Sequence, residues 1–261
     1  MALDKSRLMA GKRGLILGVA NDHSIAWGIA QRLAAHGAEL AFTYQDEAFQ
    51  RRVEPLAKSV GGRIVLPCDV ADADSLDRVF GRLADAWSGL DFVVHAIAFS
   101  DKSELRGRYL DTTRENFLKT LHISCFSLTK LARRARPMML GSGGSLLTLT
   151  YLGSARVMPS YNVMGVAKAA LEASVRYLAH DLGPKGIRVN AISAGPLRTL
   201  AAAGISDFKS MLHHVAERAP LKRNIDAEEV GKSALYLCSD WGSAVTGEVV
   251  HVDAGYNIMG M

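Results

Sequence analysis

Short apolar runs alternate with helical stretches along the whole chain, and this alternation limits the folds that the sequence can adopt. Near-continuous apolar strands are typical of parallel sheets buried on both faces. Strands that alternate with helices imply parallel pairing, with helices on both faces of the sheet. The sequence therefore predicts an α/β fold with a doubly wound, seven-stranded parallel sheet in a single domain of 261 residues. We expect the strands at residues 14–19, 39–44, 63–68, 91–98, 144–150, 187–192 and 247–252.

The turn after the first strand has the features of a phosphate-binding site. Gly18 ends the apolar run, Ala20 and Ser24 follow it, and Ile25 begins a predicted helix. A helix N-terminus after a tight turn presents free backbone N–H groups to a dinucleotide pyrophosphate, as in Rossmann-like folds. We expect Gly18 to allow close backbone approach, Ser24 to donate its hydroxyl, and Gly28 to let helix and strand pack closely. The spacing is not Gly-x-Gly-x-x-Gly, so an ordinary strand-to-helix connection is the alternative.

The ends of the second and third strands are expected to bind the adenosine half of the dinucleotide. Gln45 and Asp46 follow the second strand, where such folds read the ribose. Asp46 argues against a 2′-phosphate and so favours NADH over NADPH, although two arginines on the next helix could serve as phosphate ligands. Asp69 can accept from the adenine amino group, with Val70 packing on the ring. Alternatively, or in addition, Asp69 caps the next helix.

Two tyrosines and a lysine are spaced so that they can act together. Apolar periodicity predicts one helix over 160–182, which places Tyr161 and Lys168 on the same face. Lys168 leans toward the helix N-terminus, where it is expected to favour the ionised phenol and strengthen Tyr161 as a donor to an oxyanion. Tyr151 follows the fifth strand and is expected to line the same pocket. The alternative is a surface tyrosine and lysine on an ordinary helix.

These residues together resemble the short-chain dehydrogenase/reductase family. More narrowly, they resemble its divergent branch, the bacterial NADH-dependent enoyl-acyl-carrier-protein reductases, over residues 11–255. The Tyr161-x6-Lys168 spacing discriminates within the family. Carbonyl reductases of the superfamily use Tyr-x3-Lys with a serine about thirteen residues earlier, and those positions are Gly165 and Thr148 here.

The resemblance implies an oxidoreductase of type II fatty-acid synthesis that reduces trans-2-enoyl thioesters to acyl thioesters by hydride transfer from NADH. Tyr151, Tyr161 and Lys168 would be catalytic, and Lys168 would also hold the cofactor ribose. Phe99 and Ser100 would flank the substrate beside the tyrosines. The remaining cofactor-binding residues are those given above (Gly18, Ala20, Ser24, Ile25, Gln45, Asp69, Val70) and the small or apolar residues after the fourth and sixth strands: Ala96, Ile97, Ala98, Ala194, Gly195, Pro196, Leu197, Thr199 and Ala201.

The resemblance also implies partners and a mobile element. We expect an acyl carrier protein that delivers the substrate, a homotetramer, and a mobile substrate lid at about 197–218. The composition beyond about residue 200 also fits a short packed helix. The stretch at residues 206–210, beyond the alanine-rich turn, contains Lys209 as its one basic residue, although the resemblance suggests several basic residues on the helix there. A carbonyl (3-ketoacyl) reductase and a non-catalytic nucleotide-binding paralogue remain as alternatives.

Composition narrows the classes further. The chain is 49% hydrophobic and carries a net charge of +5, with no basic stripe of the kind that binds nucleic acid. No apolar run is long enough for stable membrane insertion. Cys68, Cys125 and Cys238 are widely spaced, which fits reduced thiols in the cytoplasm and not a metal site. His95 and His23 are interpreted as structural or phosphate-side residues, not as acid–base catalysts.

Overall fold

Seven parallel strands form one sheet in this computed structural model, which describes residues 7–200 and 208–260. The order across the sheet is β3-β2-β1-β4-β5-β6-β7, and the connections change direction between β1 and β4. This is the arrangement of a doubly wound fold, so the predicted class is confirmed. The strands are β1 (Arg13–Leu17), β2 (Glu39–Tyr44), β3 (Ile64–Pro67), β4 (Phe92–His95), β5 (Gly144–Thr150), β6 (Ile187–Ala194) and β7 (Val249–Val252).

Helices cover both faces of the sheet. Successive strand residues point to opposite faces, so Ile16 packs in the core on one face and Leu15 in the core on the other. Helices α1, α2, α7 and α8 contribute to the first core, and α3, α5 and α6 to the second. The helices are α1 (Ile25–Ala35), α2 (Glu47–Ser59), α3 (Ala73–Ala86), α4 (Arg114–Leu121), α5 (Ser127–Met139), α6 (Asn162–Leu182), α7 (Phe208–Arg218) and α8 (Ala227–Cys238).

The predicted strand ends agree with the structure to within two residues, except that the fourth strand is shorter than expected. It ends at His95, and the predicted residues 96–98 lie in the following loop. The Ala96 N–H still donates to the Leu17 carbonyl at 3.1 Å, after which the chain leaves the sheet. The small residues predicted at the strand end are therefore the first residues of a loop above the sheet.

The sequence also predicts one long helix from about residue 112, and the structure shows this helix to be interrupted. It begins at Arg114, where the Thr113 side chain accepts from the Asn116 N–H, and a π-helical turn at His122–Phe126 separates α4 from α5. Thr112 and Glu115 have the sequence spacing of a capping box, which predicts a helix start there, but Thr113 is the N-cap residue and the prediction is wrong. Asp226 and Glu229 have the same spacing and do form a capping box at the start of α8.

Candidate active site

The turn after β1, here called the phosphate turn (residues 18–24), lies where the strand order reverses. Gly18 has φ +97°, and a Cβ at this position would lie 2.0 Å from the Ala96 carbonyl oxygen. The Ser24 hydroxyl accepts from the Ala20 N–H at 2.9 Å and from the Asn21 N–H at 3.0 Å. Ser24 therefore organises the turn, and the hydroxyl expected to donate to a ligand is engaged within it. A glycine is required at position 18 by the close approach of the Ala96 carbonyl, independently of any ligand.

The N-terminus of α1 opens from this turn. Ser24 is the N-cap residue but makes no side-chain cap bond. The Trp27 and Gly28 N–H groups donate to its carbonyl, which leaves the Ile25 and Ala26 amides without an intrahelical acceptor. Such amides suit a pyrophosphate. The expectation that Gly28 packs on a strand is wrong, because Gly28 faces α8. A Cβ on Gly28 would lie 2.6 Å from the Ala227 carbonyl oxygen, and one on Gly231 would lie 2.7 Å from the Gly28 carbonyl oxygen.

The residues expected at the adenosine end follow β2 and β3. Gln45 is exposed, and Asp46 caps α2 by accepting from the Phe49 N–H at 3.0 Å. The Asp69 carboxylate accepts from the Ala71 N–H at 2.8 Å. Asp69 does not cap α3, because Asp72 does so. Val70 is only 5% exposed, which leaves little of its side chain to contact an adenine ring.

The remaining residues expected to bind the cofactor follow β4 and β6 at the same edge of the sheet. Ala96 and Ile97 are half-buried and Ala98 is exposed in the loop after β4. Ala194 ends β6, and the next residue, Gly195, donates its N–H to the Val252 carbonyl at 2.8 Å. Three further predicted residues continue this loop, in which Pro196 is buried, Leu197 and Thr199 are half-buried, and the Thr199 N–H donates to the Leu197 carbonyl at 2.8 Å. Ala201 lies outside the described residues.

The two tyrosines meet as predicted. The rings of Tyr151 and Tyr161 are 5.2 Å apart at their centroids and cross at 73°. The Tyr151 hydroxyl donates to the Met211 sulfur of α7 at 3.5 Å. Burial raises the pKa of both phenols, and the Tyr151 phenol and the Glu172 carboxylate raise that of Tyr161 further. The expected lowering by Lys168 is therefore wrong, and a protonated phenol remains available as a donor at neutral pH.

Tyr161 precedes α6 instead of lying within it. It is the N-cap residue, and the helix begins at Asn162. A Cβ on Gly153 would lie 2.5 Å from the Tyr161 ring, and one on Gly165 would lie 2.7 Å from the Gly153 carbonyl oxygen. The ring therefore packs onto two glycines. We call this group, with Tyr151 and Met211, the tyrosine pocket.

Lys168 is buried on α6, with 6% of its surface exposed. Its Nζ donates to the Leu149 carbonyl at 2.8 Å, and an ammonium has two further donor hydrogens. Burial lowers the pKa of Lys168 to about 8, against the opposing effects of Cys125 and Glu172. The Thr150 hydroxyl donates to Glu172 at 2.6 Å, which holds that carboxylate at the end of β5.

The two residues predicted to flank the substrate, Phe99 and Ser100, lie in the loop after β4 but have different surroundings. Phe99 is 42% exposed, with the Lys119 Nζ 4.7 Å from its ring centroid. Ser100 is 7% exposed, and its hydroxyl bonds with Asn116 and Thr120 at 2.9–3.3 Å. The Ser100 side chain therefore faces α4, contrary to the expectation that it flanks a substrate.

Neither histidine is placed for proton transfer to a ligand. His95 is 1% exposed and lies between the hydroxyls of Thr148 and Ser127 at 2.8 and 2.7 Å. Burial, with a smaller effect of Lys168, lowers the pKa of His95 to about 3. Thr148 also donates to the His95 carbonyl at 3.1 Å, so its hydroxyl is committed inside the sheet. His23 is exposed beside Asp22.

The sequence analysis did not identify three residues that shape the site. They are Gly153 and Met211, described above, and Asn162, whose amide contacts the loop after β4. Two signals were available: asparagine tolerates positive φ, and a glycine is suited to a close backbone approach. The contact of Tyr151 with Met211 has no local signal, because the two residues are sixty positions apart.

The site fits a dinucleotide. The turn that begins at Gly18 and the free amides at the start of α1 lie at the switch point of the sheet, and the buried Lys168 has two further donor hydrogens. Among the described residues, no group of three or more histidine, cysteine or acidic side chains could hold a metal ion. Fold and site together define a dinucleotide-binding reductase of the short-chain dehydrogenase/reductase class.

Comparisons with known proteins narrow that class. The profile of the enoyl-(acyl carrier protein) reductase family matches residues 18–257, and the chain belongs to this family. Enoyl-[acyl-carrier-protein] reductase [NADH] 2 of Rhizobium meliloti is 64% identical over 97% of this chain and 94% of its own.

Solved structures agree with this assignment. The enoyl-acyl-carrier-protein reductase of Anaplasma phagocytophilum, crystallised with NAD, is 59% identical, with a TM-score of 0.95 over 98% of this chain and 97% of its own. The Bacillus cereus enzyme, crystallised with NADP+ and an indole naphthyridinone, is 52% identical, with a TM-score of 0.95 over 97% and 99% of the two chains.

Proposed function

We propose that this chain is an NADH-dependent enoyl-acyl-carrier-protein reductase of type II fatty-acid synthesis. The observation that carries this function is the tyrosine pocket. Tyr151 and Tyr161 meet at 5.2 Å, whereas the position four residues after Tyr161 is Gly165, packed against a carbonyl. A side chain at that position, including the lysine of a carbonyl reductase, would collide with the chain. The near relatives named as NADH-dependent enoyl reductases support the same activity.

The cofactor-binding role is assigned to residues at the carboxyl edge of the sheet. The first-turn amides of α1 bind the pyrophosphate, and Gln45 and Asp69 lie at the adenosine end. Lys168 donates its remaining hydrogens to the nicotinamide ribose, while the Leu149 carbonyl fixes its direction. The small residues after β4 and β6 leave room for the rings of the dinucleotide.

Tyr161 is the main donor to the substrate. NADH, when bound, supplies the hydride that adds to the β-carbon of the trans-2-enoyl thioester. As that carbon gains the hydride, charge develops on the thioester oxygen, and the protonated Tyr161 phenol donates to it. A positioned donor of this kind contributes about 3–4 kcal/mol to the transition state. The enolate then takes a proton from solvent water at its α-carbon, and the thioester carbonyl re-forms, which completes the reduction of the double bond.

Tyr151 and Phe99 shape the acyl side of the pocket. Tyr151 is anchored to α7 through Met211, so the position of α7 affects the position of its ring. Phe99 presents an exposed ring from the loop after β4. Ser100 is assigned a positioning role in that loop, because its hydroxyl is bonded to α4.

A substrate lid over residues 197–218 is part of the proposal. Residues 201–207 lie outside the described residues. The later part is helix α7, whose Leu212 and Val215 are buried, in keeping with the packed-helix alternative. Movement of α7 would change the contact of Met211 with Tyr151, which couples such a lid to the pocket.

Acyl carrier protein is the proposed macromolecular partner. The exposed cations Lys209 and Arg218 lie on α7, next to the pocket, and favour an acidic carrier. Lys209→Glu should raise KM for a carrier-bound enoyl substrate and leave KM for the matching coenzyme A thioester unchanged. An equal rise in KM for both substrates would show that the carrier protein does not bind at this surface.

A homotetramer in the cytoplasm completes the proposal. The helices from α4 to α6 expose large apolar side chains (Leu118, Phe126 and Tyr177), and β7 is an edge strand of the sheet. Two isologous interfaces, one on each surface, would give a closed tetramer. A monomer by light scattering at micromolar concentration would contradict this assembly.

In the part of the chain that is described, no helix is long and apolar enough to cross a membrane.

One assay tests the function. Loss of NADH absorbance is measured with a crotonyl or longer enoyl thioester and, in parallel, with a 3-ketoacyl thioester. We expect turnover with the enoyl substrate only. Turnover with the ketone alone would indicate a carbonyl reductase, and NADH binding without turnover would indicate a non-catalytic paralogue. No described contact favours the ketone reaction, because the Thr148 hydroxyl at the serine position is sealed beneath the pocket.

A further inference from the structure

We propose that Asn162 is a positioning residue that aims Tyr161 at the substrate by clamping the start of α6 to the loop at residues 104–107. The proposal rests on the assigned role of Tyr161 as the donor to the substrate oxygen. It adds a residue that touches neither substrate nor cofactor and that acts through the backbone of its neighbour.

The backbone on both sides of Tyr161 has an unusual conformation. Ser160 has φ +57° and Asn162 has φ +37°, whereas most residues other than glycine avoid positive φ. Asparagine is among the residues that tolerate this region. The reversal on each side turns Tyr161 out of the helical path, and its ring lies on Gly153. A regular helix from residue 160 would direct the ring elsewhere, so this conformation needs an external restraint.

The Asn162 side chain supplies such a restraint. Its Nδ2 donates to the Glu104 carbonyl at 3.1 Å, to the Gly107 carbonyl at 3.3 Å and, at the limit of bonding distance, to the Arg106 carbonyl at 3.5 Å. One amide group therefore lies among three carbonyl oxygens of a single loop. Only a donor suits this position, because an acceptor there would be repelled by all three oxygens.

The loop at residues 104–107 is itself held by hydrogen bonds and packing, so it can fix the position of Tyr161. The Glu104 carboxylate accepts from the Thr113 N–H at 3.0 Å, from the Thr113 hydroxyl at 2.8 Å and from the Asn116 amide at 3.2 Å. Leu105 is 8% exposed and packs in a small core with residues of α6, against which the Tyr161 ring also packs.

The same anchor holds the loop that carries Phe99. Asn116 accepts from the Asp101 N–H at 3.0 Å and bonds with the Ser100 hydroxyl at 3.2–3.3 Å. The start of α4 therefore fixes the positions of both aromatic residues. It holds Tyr161 through Asn162 and Phe99 through Ser100. The Asn162 clamp sets the distance between the catalytic phenol and the opposite wall of the pocket.

The test uses two substitutions that keep the backbone conformation accessible. Asn162→Asp preserves size and tolerance of positive φ but replaces the donor with an acceptor, and Asn162→Gly removes the side chain and fits positive φ. Lys222→Gly is the matched control, because Lys222 also has positive φ (+53°) but lies outside the pocket. For each variant kcat, KM, the NADH dissociation constant and the melting temperature are measured.

We expect both Asn162 variants to lower kcat about tenfold, with the NADH dissociation constant within about twofold of wild type. In a Tyr161→Phe background the same substitutions should change kcat less than about threefold, because the residue acts through the missing hydroxyl. Lys222→Gly should match wild type. If Asn162→Asp does not fold, Asn162→Gly decides the question.

Wild-type kcat in a folded Asn162 variant would overturn the proposal, as would a full additional loss in the Tyr161→Phe background. A wild-type protein that does not reduce enoyl thioesters would instead overturn the proposed function. The two failures are therefore distinguishable.

Discussion

The phosphate turn and the tyrosine pocket lie at the same edge of the sheet but are built in different ways. The turn is closed by hydrogen bonds that the Ser24 hydroxyl accepts from backbone amides three and four residues earlier. The pocket brings Tyr151 to Met211 across sixty residues. A short motif can encode the turn, whereas the pocket forms only when several distant segments reach their final positions.

The turn nevertheless depends on one distant contact. Gly18 follows β1, and the Ala96 carbonyl of the neighbouring chain segment occupies the space that a Cβ would need. The phosphate turn is therefore local in its hydrogen bonds but not in its packing. Substitutions can separate these two properties.

The largest effect is expected for Gly18→Ala. Positive φ alone costs about 1–2 kcal/mol for a residue with a Cβ. The contact with Ala96 should add about 1–3 kcal/mol for overpacking, together with loss of NADH binding. Gly61→Ala is the matched control, because Gly61 has φ +78° and no atom within 4 Å of its Cβ position. Equal losses in urea unfolding would show that the turn is local in packing as well.

A smaller effect is expected at His95, beneath the boundary between the two regions. Its pKa is about 3 in the folded protein, against 6.5 for an ordinary histidine. Below pH 6.5 the His95 side chain binds a proton in the unfolded chain but not in the folded chain. The free energy of unfolding therefore falls as the pH falls. Between pH 6.5 and 5 the loss should be about 2 kcal/mol, at about 1.4 kcal/mol per pH unit.

Urea unfolding at the two pH values checks this prediction. His95→Asn should remove that part of the pH dependence, because the titrating group is gone. The control His23→Asn should keep the pH dependence of the wild-type protein, because His23 is exposed and lies beside Asp22. An unchanged slope in His95→Asn would show that other groups cause the acid sensitivity.

The smallest effect is expected for cofactor choice at the adenosine end. Gln45 is exposed and uncharged, and Asp46 holds the start of α2, so neither offers a cation to a 2′-phosphate. NADH should exceed NADPH about tenfold in kcat/KM, which corresponds to about 1.4 kcal/mol. Gln45→Arg should lower the ratio of kcat/KM with NADH to kcat/KM with NADPH. A tenfold advantage for NADPH would point to Arg51 or Arg52 as a phosphate ligand.

Much of the fold could be predicted because its signals are local. Apolar runs predicted all seven strands, and α1 begins at Ile25 as the sequence indicated. The errors occurred where a distant partner decides the outcome. The fourth strand ends early beside Gly18, and the fourth helix is interrupted before Ser127, whose hydroxyl bonds with the buried His95 ring at 2.7 Å.

The site divides in the same way. Tyr151, Tyr161 and Lys168 could be selected from spacing and resemblance, but their environment could not. The phenol pKa is governed by burial and not by the lysine, and Tyr161 precedes its helix instead of lying within it. Asn162 was missed because its role depends on carbonyls at 104–107, which no pattern around residue 162 reveals.

The central claim is that Tyr161 acts on the substrate and Lys168 on the cofactor. An NADH titration of Tyr161→Phe and Lys168→Ala, with melting temperatures to verify folding, tests this claim most directly. Tyr161→Phe should bind NADH within about twofold of wild type while its kcat falls about a hundredfold, the usual cost of one oxyanion donor. Lys168→Ala should bind NADH at least about tenfold more weakly. Loss of NADH binding in Tyr161→Phe, with normal binding in Lys168→Ala, would contradict the account.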